Sequence, residues 1–208
     1  MAEETLNTRD RVLETCLRLF NEAGPDAVTT AEIAGAVGIN EGNLYYYFKR
    51  KQDILLALFE QFEAAMNQVA SVPQSSSANP DAALEYLKRW FNLMWEWRFF
   101  YRDGASVMRV APKLRGKNMK LADRGQAEIR LVLQGMVENG LLRMAPAEID
   151  RLVVNAWIVS SYWLDYLHCR HNVTRVTRDH LDWGFSQVLS LFLPYIMDES
   201  LAKSLKFD

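Results

Sequence analysis

The chain has 208 residues, half of them apolar, with 24 Lys and Arg against 26 Asp and Glu for a net charge of −2 at pH 7. That length buries a sizeable core as one large or two small domains, and the balanced charge gives no bulk signature of nucleic-acid binding. The polar, acidic start MAEETLNTRD leads us to expect no signal peptide, the nine-residue apolar run Leu189 to Met197 is too short to span a membrane, and two distant cysteines, Cys16 and Cys169, form no disulfide framework.

Helical spacing of Val12, Cys16, Leu19 and Phe20 predicts a first helix over about Thr8 to Ala23, stopped by Gly24-Pro25-Asp26. Cys16 falls on its core-facing side, where a small buried thiol is expected rather than a redox sensor. Thr29 with Glu32 three residues on forms a capping-box pattern that opens a second helix. Ile33, Ala34 and Val37 give that helix a narrow apolar face. Gly38 ends it, because only glycine enters the left-handed region there without steric cost. Ile39 fills the corner, and Asn40 caps a third helix running through Asn43, Leu44, Tyr45 and Phe48. Two short helices around a glycine turn are a helix-turn-helix, whose second helix reads the DNA major groove.

These residues carry a family resemblance. Arg9-x-x-Val12-Leu13, Leu19-Phe20, Gly24, Thr29-x-x-x-Ile33-Ala34, Gly38-Ile39 and Gly42-x-Leu44-Tyr45-x-x-Phe48-x-x-Lys51 resemble the N-terminal domain of the TetR family of bacterial regulators. The match covers about residues 8 to 56 without gaps. It implies an all-α fold: a three-helix helix-turn-helix DNA-binding domain over 1–53, then a helical ligand-binding and dimerisation domain over 54–208. It also implies double-stranded operator DNA as partner, with Gly42 admitting a close backbone approach. Asn43, Tyr45, Tyr46 and Tyr47 meet bases and phosphates, while Thr30 and Lys51 hold the flanking phosphates. Ala31 stands where many relatives place a base-reading arginine, so Glu41 or Asn43 carries more of the readout. Residues 1 to 53 hold six cations against nine acids, a net of −3. Lys49, Arg50 and Lys51 nevertheless stand together at the end of the recognition helix, and local charge dominates at contact distance because salt screens beyond about 8 to 10 Å.

A fourth helix is predicted from Lys51 or Gln52 through Val69, followed by a Pro/Ser boundary loop over Ser71 to Pro80. The remainder reads as one long helix over about Asp81 to Arg102, a short one over Ala105 to Ala111, and long ones over about 118–138, 147–169 and 177–193. No period-two alternation appears, so no strands are expected. Lys113, Arg115, Lys117 and Lys120 read as a solvated basic loop. The resemblance implies nine or ten helices and a homodimer formed by the last two long ones. Trp157, Ser160, Ser161, Trp163 and Leu164 on one, and Trp183, Gly184, Val188, Leu191 and Phe192 on the other, supply large and small apolar positions. Packing inside one subunit accounts for the same faces.

Eight of the 24 aromatics fall between Tyr86 and Tyr101, on more than one helical face, so this segment must be buried on several sides. Either it is a solid aromatic core or it lines a pocket. The family implies the pocket, for a small apolar or aromatic effector, with Trp90, Met94, Trp95, Trp97, Tyr101, Met108 and Arg109 as candidates. His168, Cys169 and His171 have the wrong spacing to share one face, and no zinc pattern accompanies them. They read as a solvated helix end. No metal or other cofactor is expected, and the chain offers no catalytic residues: no nucleophile elbow, no phosphate-cradling glycine loop, no paired His and acid. An all-helical binding protein without DNA affinity and a helical enzyme are the rival classes. The reading preferred is a cytoplasmic, dimeric, ligand-released DNA-binding repressor.

Overall fold

The computed structural model describes residues 7–70 and 80–197, and among them every regular element is helical. The helices are α1 (Thr8–Ala23), α2 (Thr30–Val37), α3 (Glu41–Tyr47), α4 (Lys51–Ala70), α5 (Pro80–Glu96), α6 (Arg98–Arg102), α7 (Gly104–Val110), α8 (Leu114–Glu138), α9 (Pro146–His171) and α10 (Arg178–Phe192). The boundary loop expected before Pro80 lies outside the described residues. A single antiparallel bridge, Leu142 to Ile196, is the nearest thing to sheet among those described.

Capping residues set the ends of the first three helices. Asn7 Oδ1 accepts the Asp10 amide at 3.0 Å and opens α1. Thr29 and Glu32 form the reciprocal capping box of α2, with the Thr29 amide donating to the Glu32 carboxylate at 2.7 Å. That contact holds the Glu32 pKa below its ordinary value. Gly38 closes α2 at φ 79, ψ 35, and Asn40 Oδ1 accepts the Asn43 amide at 2.8 Å to start α3. Phe48, expected inside α3, instead stands just beyond it in extended conformation. Its ring turns inward and is 4% exposed.

The described residues fall into two compact units: 7–64 with 97–118, and 65–70 with 80–96 and 119–197. In the first, Val12, Leu13, Cys16 and Phe20 of α1 are buried together with Ile33, Leu44, Ile54, Leu55, Leu58, Phe59 and Phe99. The expected helix from Asp81 to Arg102 does not run through: it breaks at Trp97, where φ −111 and ψ 29 leave the helical region. A broken helix orphans the first amides of its continuation. Asn21, a buried polar residue near the end of α1, supplies the missing acceptor, taking the Phe99 N–H on Oδ1 at 3.1 Å. Arg102 completes the seam, donating to the Phe20 carbonyl at 2.9 Å and the Asn21 carbonyl at 3.0 Å. The end of α1 thus receives a guanidinium, on the Asn21 carbonyl and on the Phe20 carbonyl that also accepts the Gly24 N–H, and this guanidinium pairs with Asp103 at 2.6 Å.

The basic stretch expected as a loop sits mostly on the first turns of α8, with Lys117 3.4 Å from Glu60. In the second unit α9 and α10 pack side by side. The Trp163 indole lies on Gly184, where an added Cβ would come within 2.6 Å of the ring. Its N–H donates to the His180 carbonyl at 2.7 Å, one turn back along α10. Trp163, Leu164, Gly184, Val188 and Phe192, expected at a subunit interface, are therefore buried within one chain. The outward ridge of α9 carries Val154, Ile158, Tyr162 and Tyr166 instead, and Trp183 of α10 is exposed as well.

Candidate nucleic-acid interface and cavity

α3 is held from below and bare above. Leu44 is fully buried and Phe48 closes the helix end, with the Arg9 guanidinium over the Phe48 ring at 5.3 Å. Arg11 ties α1 to α2 by donating to the Val37 carbonyl at 2.6 Å. On the opposite face Gly42, Asn43, Tyr45 and Tyr46 are exposed, Tyr46 by 79%. Tyr46 packs edge-on against the half-buried Tyr47 with ring centroids 5.2 Å apart. The Tyr45 hydroxyl and the Thr30 Oγ1 are 3.2 Å apart. That contact brings together the start of α2 and the face of α3, two segments that the sequence linked only through DNA.

Glu41 is half-buried at the start of α3, and Lys49 and Arg50 are exposed beyond its end. Gly42 has a local reason to lack a side chain, since a Cβ there would come within 3.3 Å of Asn40 Oδ1, the group that caps the helix. Lys51 has a partner that its sequence position did not reveal: Nζ donates to the Pro25 carbonyl at 2.7 Å. An ammonium has three N–H groups, so two stay available for an anion.

Of the residues predicted to contact an effector, Trp90, Met94 and Trp95 belong to the second unit, and Trp97, Tyr101, Met108 and Arg109 to the first. Trp97 is buried in a ring cluster, 5.7 Å from Phe62 and 6.2 Å from Phe100 by centroid. Burial pushes the Tyr101 hydroxyl well above the ordinary tyrosine range. Arg109 pairs with Asp26 at 2.7 Å on the surface. Met94 is core, and Trp95 lies under the Arg178 guanidinium at 4.8 Å. Trp90 alone of the seven lines a cavity described in the second unit. This cavity has a volume of about 310 Å³ and is walled by Met66, Asn67 and Ala70 of α4, Trp90 of α5, and Leu121, Arg124, Gly125 and Glu128 of α8.

Sequence reasoning missed seven of these eight residues. The signal that pointed there was Gly125, a glycine inside a helical pattern, which often marks a close approach. Here a Cβ would come within 2.9 Å of the Trp157 ring. Tyr86 stands at right angles to Trp90, centroids 6.1 Å apart. Among the described residues the indole nitrogen of Trp97 is buried with no hydrogen-bond partner, and the Tyr86 hydroxyl and Trp90 indole nitrogen, both buried, have at most each other. Burial raises the Tyr86 pKa above its ordinary value; the neighbouring Trp90 indole N–H opposes the rise, and the Glu128 carboxylate adds to it.

Among the described residues no cluster of His, Cys, Asp and Glu is placed to hold a metal ion. His171 instead faces the Tyr166 hydroxyl at 3.3 Å, and Cys169 is exposed. No helix among the described residues is long and apolar enough to cross a membrane.

Comparison with known proteins agrees along the chain. Residues 12–58 match the family model of bacterial regulatory proteins of the tetR family, and residues 61–203 match a TetR model described as a bacterial transcriptional repressor. The crystal structure of a TetR-family transcriptional regulator from Marinobacter aquaeolei VT8 superposes with a TM-score of 0.85 at 28% identity, over 97% of this chain and 100% of that one. The HTH-type transcriptional repressor NicS of Pseudomonas putida is 21% identical over 96% of this chain and 93% of its own length. The HTH-type transcriptional regulator AcrR of Shigella flexneri is 33% identical over 32% of this chain, and that match spans only 31% of AcrR. With both halves matched and the helix-turn-helix in place, the chain belongs to the TetR family of DNA-binding transcriptional regulators and is not an enzyme.

Proposed function

We propose that the chain is a dimeric repressor that binds a pseudo-palindromic operator through residues 1–53 and leaves it when a small molecule occupies the body. The observation that carries the DNA half is the exposed face of α3, Asn43, Tyr45 and Tyr46, set on a helix whose other side is buried at Leu44 and followed by exposed Lys49 and Arg50. Asn43 and Glu41 face base edges, the tyrosine hydroxyls and Lys49 take phosphates, and Thr30 and Lys51 flank them. A second copy covers the outward ridge of α9, where four large side chains at four-residue spacing meet water. The name of the relative NicS supports repression over activation, and the 310 Å³ cavity supports an effector.

An effector releases DNA only by binding the two conformations unequally, and tenfold release takes about 1.4 kcal/mol of that difference. Footprinting the full-length protein on the DNA flanking its own gene tests the reading. We expect two protected half-sites related by a two-fold, centred about 34 to 36 Å apart or a multiple of it. Absence of any protected two-fold site at low salt overturns it.

A further inference from the structure

The first three helices and the start of α4 must hold a polyanion with few cations. Residues 1–53 carry six Lys and Arg against nine acids, and three of the six are turned onto partners in the protein. Arg11 donates to the Val37 carbonyl at 2.6 Å, Arg18 lies 3.7 Å from Glu22, and Lys51 donates to the Pro25 carbonyl at 2.7 Å. Lys49 and Arg50 follow α3 and are exposed. The sixth cation is Arg9, far from α3 in sequence and beside its end in space. The Arg9 guanidinium stands over the Phe48 ring, 5.3 Å from the centroid, and Phe48 is the residue immediately before Lys49 and Arg50. The fold thus adds a cation of α1 to the pair that the chain places after the recognition helix.

Within the protein that charge is weakly answered. Among the described residues the carboxylate in ion-pair range is Asp10, 3.9 Å away, with the two side chains 49% and 39% exposed. Asp10 already accepts the Asn7 side-chain amide at 2.7 Å. Arg9 also sits in the first turn of α1, where the helix dipole disfavours a cation. An aromatic ring holds a cation through its quadrupole and supplies no lone pair to the guanidinium N–H groups. A phosphate supplies them, since the guanidinium fork matches two of its oxygens. A recognition helix sets its N-terminal residues on the bases, which leaves the opposite end, at Phe48, nearer the backbone.

We propose that Arg9 is a DNA-phosphate contact, forming with Lys49 and Arg50 a cationic edge past the end of α3 that holds the strand leaving the groove. This rests on the reading of α3 as the recognition helix and adds to it a residue from α1.

Fluorescence anisotropy of the full-length protein on a random-sequence duplex, between about 50 and 200 mM salt, reads phosphate contacts without an operator. Arg9→Gln should reduce the slope of log affinity against log salt by about 0.9 for each subunit in contact, so that its deficit against wild type shrinks at least about threefold across that range. Arg9→Lys keeps the charge and should keep the slope. Arg18→Gln removes the same charge from α1, about 13 Å further along the helix at about 1.5 Å per residue and beyond the screening length, and should leave the slope unchanged. Phenylglyoxal labelling of the wild-type protein, read by peptide mass spectrometry, asks the same question without a variant: the duplex should protect Arg9 and not Arg18. The proposal is overturned if Arg9→Gln keeps the wild-type slope, if Arg18→Gln lowers the slope as much, or if Arg9 is labelled equally with and without the duplex. A lower Tm with an unchanged slope makes Arg9 a clamp on Phe48 and nothing more. Any of these results with a wild type that binds DNA fails this proposal alone. A wild type that binds no duplex at low salt fails the recognition-helix reading along with it.

Discussion

The side chains of α3 and its flanks divide by what they touch. Among the described residues Asn43 hydrogen-bonds only through its backbone, to the Asn40 cap, and its side chain is exposed, whereas Lys51 is already tied to the Pro25 carbonyl. Asn43→Ala should therefore cost about 1 to 3 kcal/mol on the operator and little on random DNA. Lys51→Ala should weaken binding to every sequence and reduce the slope of log affinity against log salt by about one unit. Fluorescence anisotropy across a salt series measures both. A drop in Tm with an unchanged salt slope would make Lys51 a brace of the α1–α2 loop only.

At the scale of the element, what was legible in the sequence was local. The bounds of α1, the Thr29–Glu32 capping box and the left-handed Gly38 each depend on residues within four positions of one another, and each is present. The break at Trp97 was not legible, because its acceptor, Asn21, lies 78 residues away and nothing in the aromatic run of α5 and α6 announces it. The cavity was missed for a related reason. Met66, Leu121 and Glu128 read as ordinary positions on amphipathic helices until α4, α5 and α8 meet. Asn21→Ala tests how much the break depends on its distant cap. It strands the buried Phe99 amide and should lower stability in urea by about 1 to 3 kcal/mol without changing the m-value. A loss below about 0.5 kcal/mol, the range of surface changes, would mean water takes over the amide.

For the whole molecule, the buried titrating groups set the alkaline limit. Burial pushes the Cys16 thiol from 9.0 up to about 12, the nearby Lys51 charge opposing it only in part. In the unfolded chain the thiol ionises near 9 while the folded one stays protonated. The unfolded state thus loses its proton first. The Cys16 contribution is whole below pH 9 and falls by up to about 1.4 kcal/mol per pH unit as pH rises toward 12. Tyr86 and Tyr101, both raised from 10.0, push in the same direction above pH 10. Unfolding midpoints in urea from pH 8 to 11 should decline, and Cys16→Ala, less stable at pH 8, should decline less steeply between pH 9 and 11. Parallel curves would show that the thiol ionises without unfolding.

The seam of Asn21, Phe99 and Arg102 has a consequence for inheritance. The first unit is assembled from two stretches of chain, 7–64 and 97–118, with more than thirty residues of the other unit inserted between them. A gene fragment that ends at residue 64 carries the recognition helix but leaves behind the guanidinium on the carbonyls of α1 and the Phe99 ring that packs 5.6 Å from Phe20. Recombination that joins this reading head to a foreign body at a single crossover therefore delivers an incomplete unit. Exchange at two crossovers, or descent of the whole chain as one piece, keeps it intact.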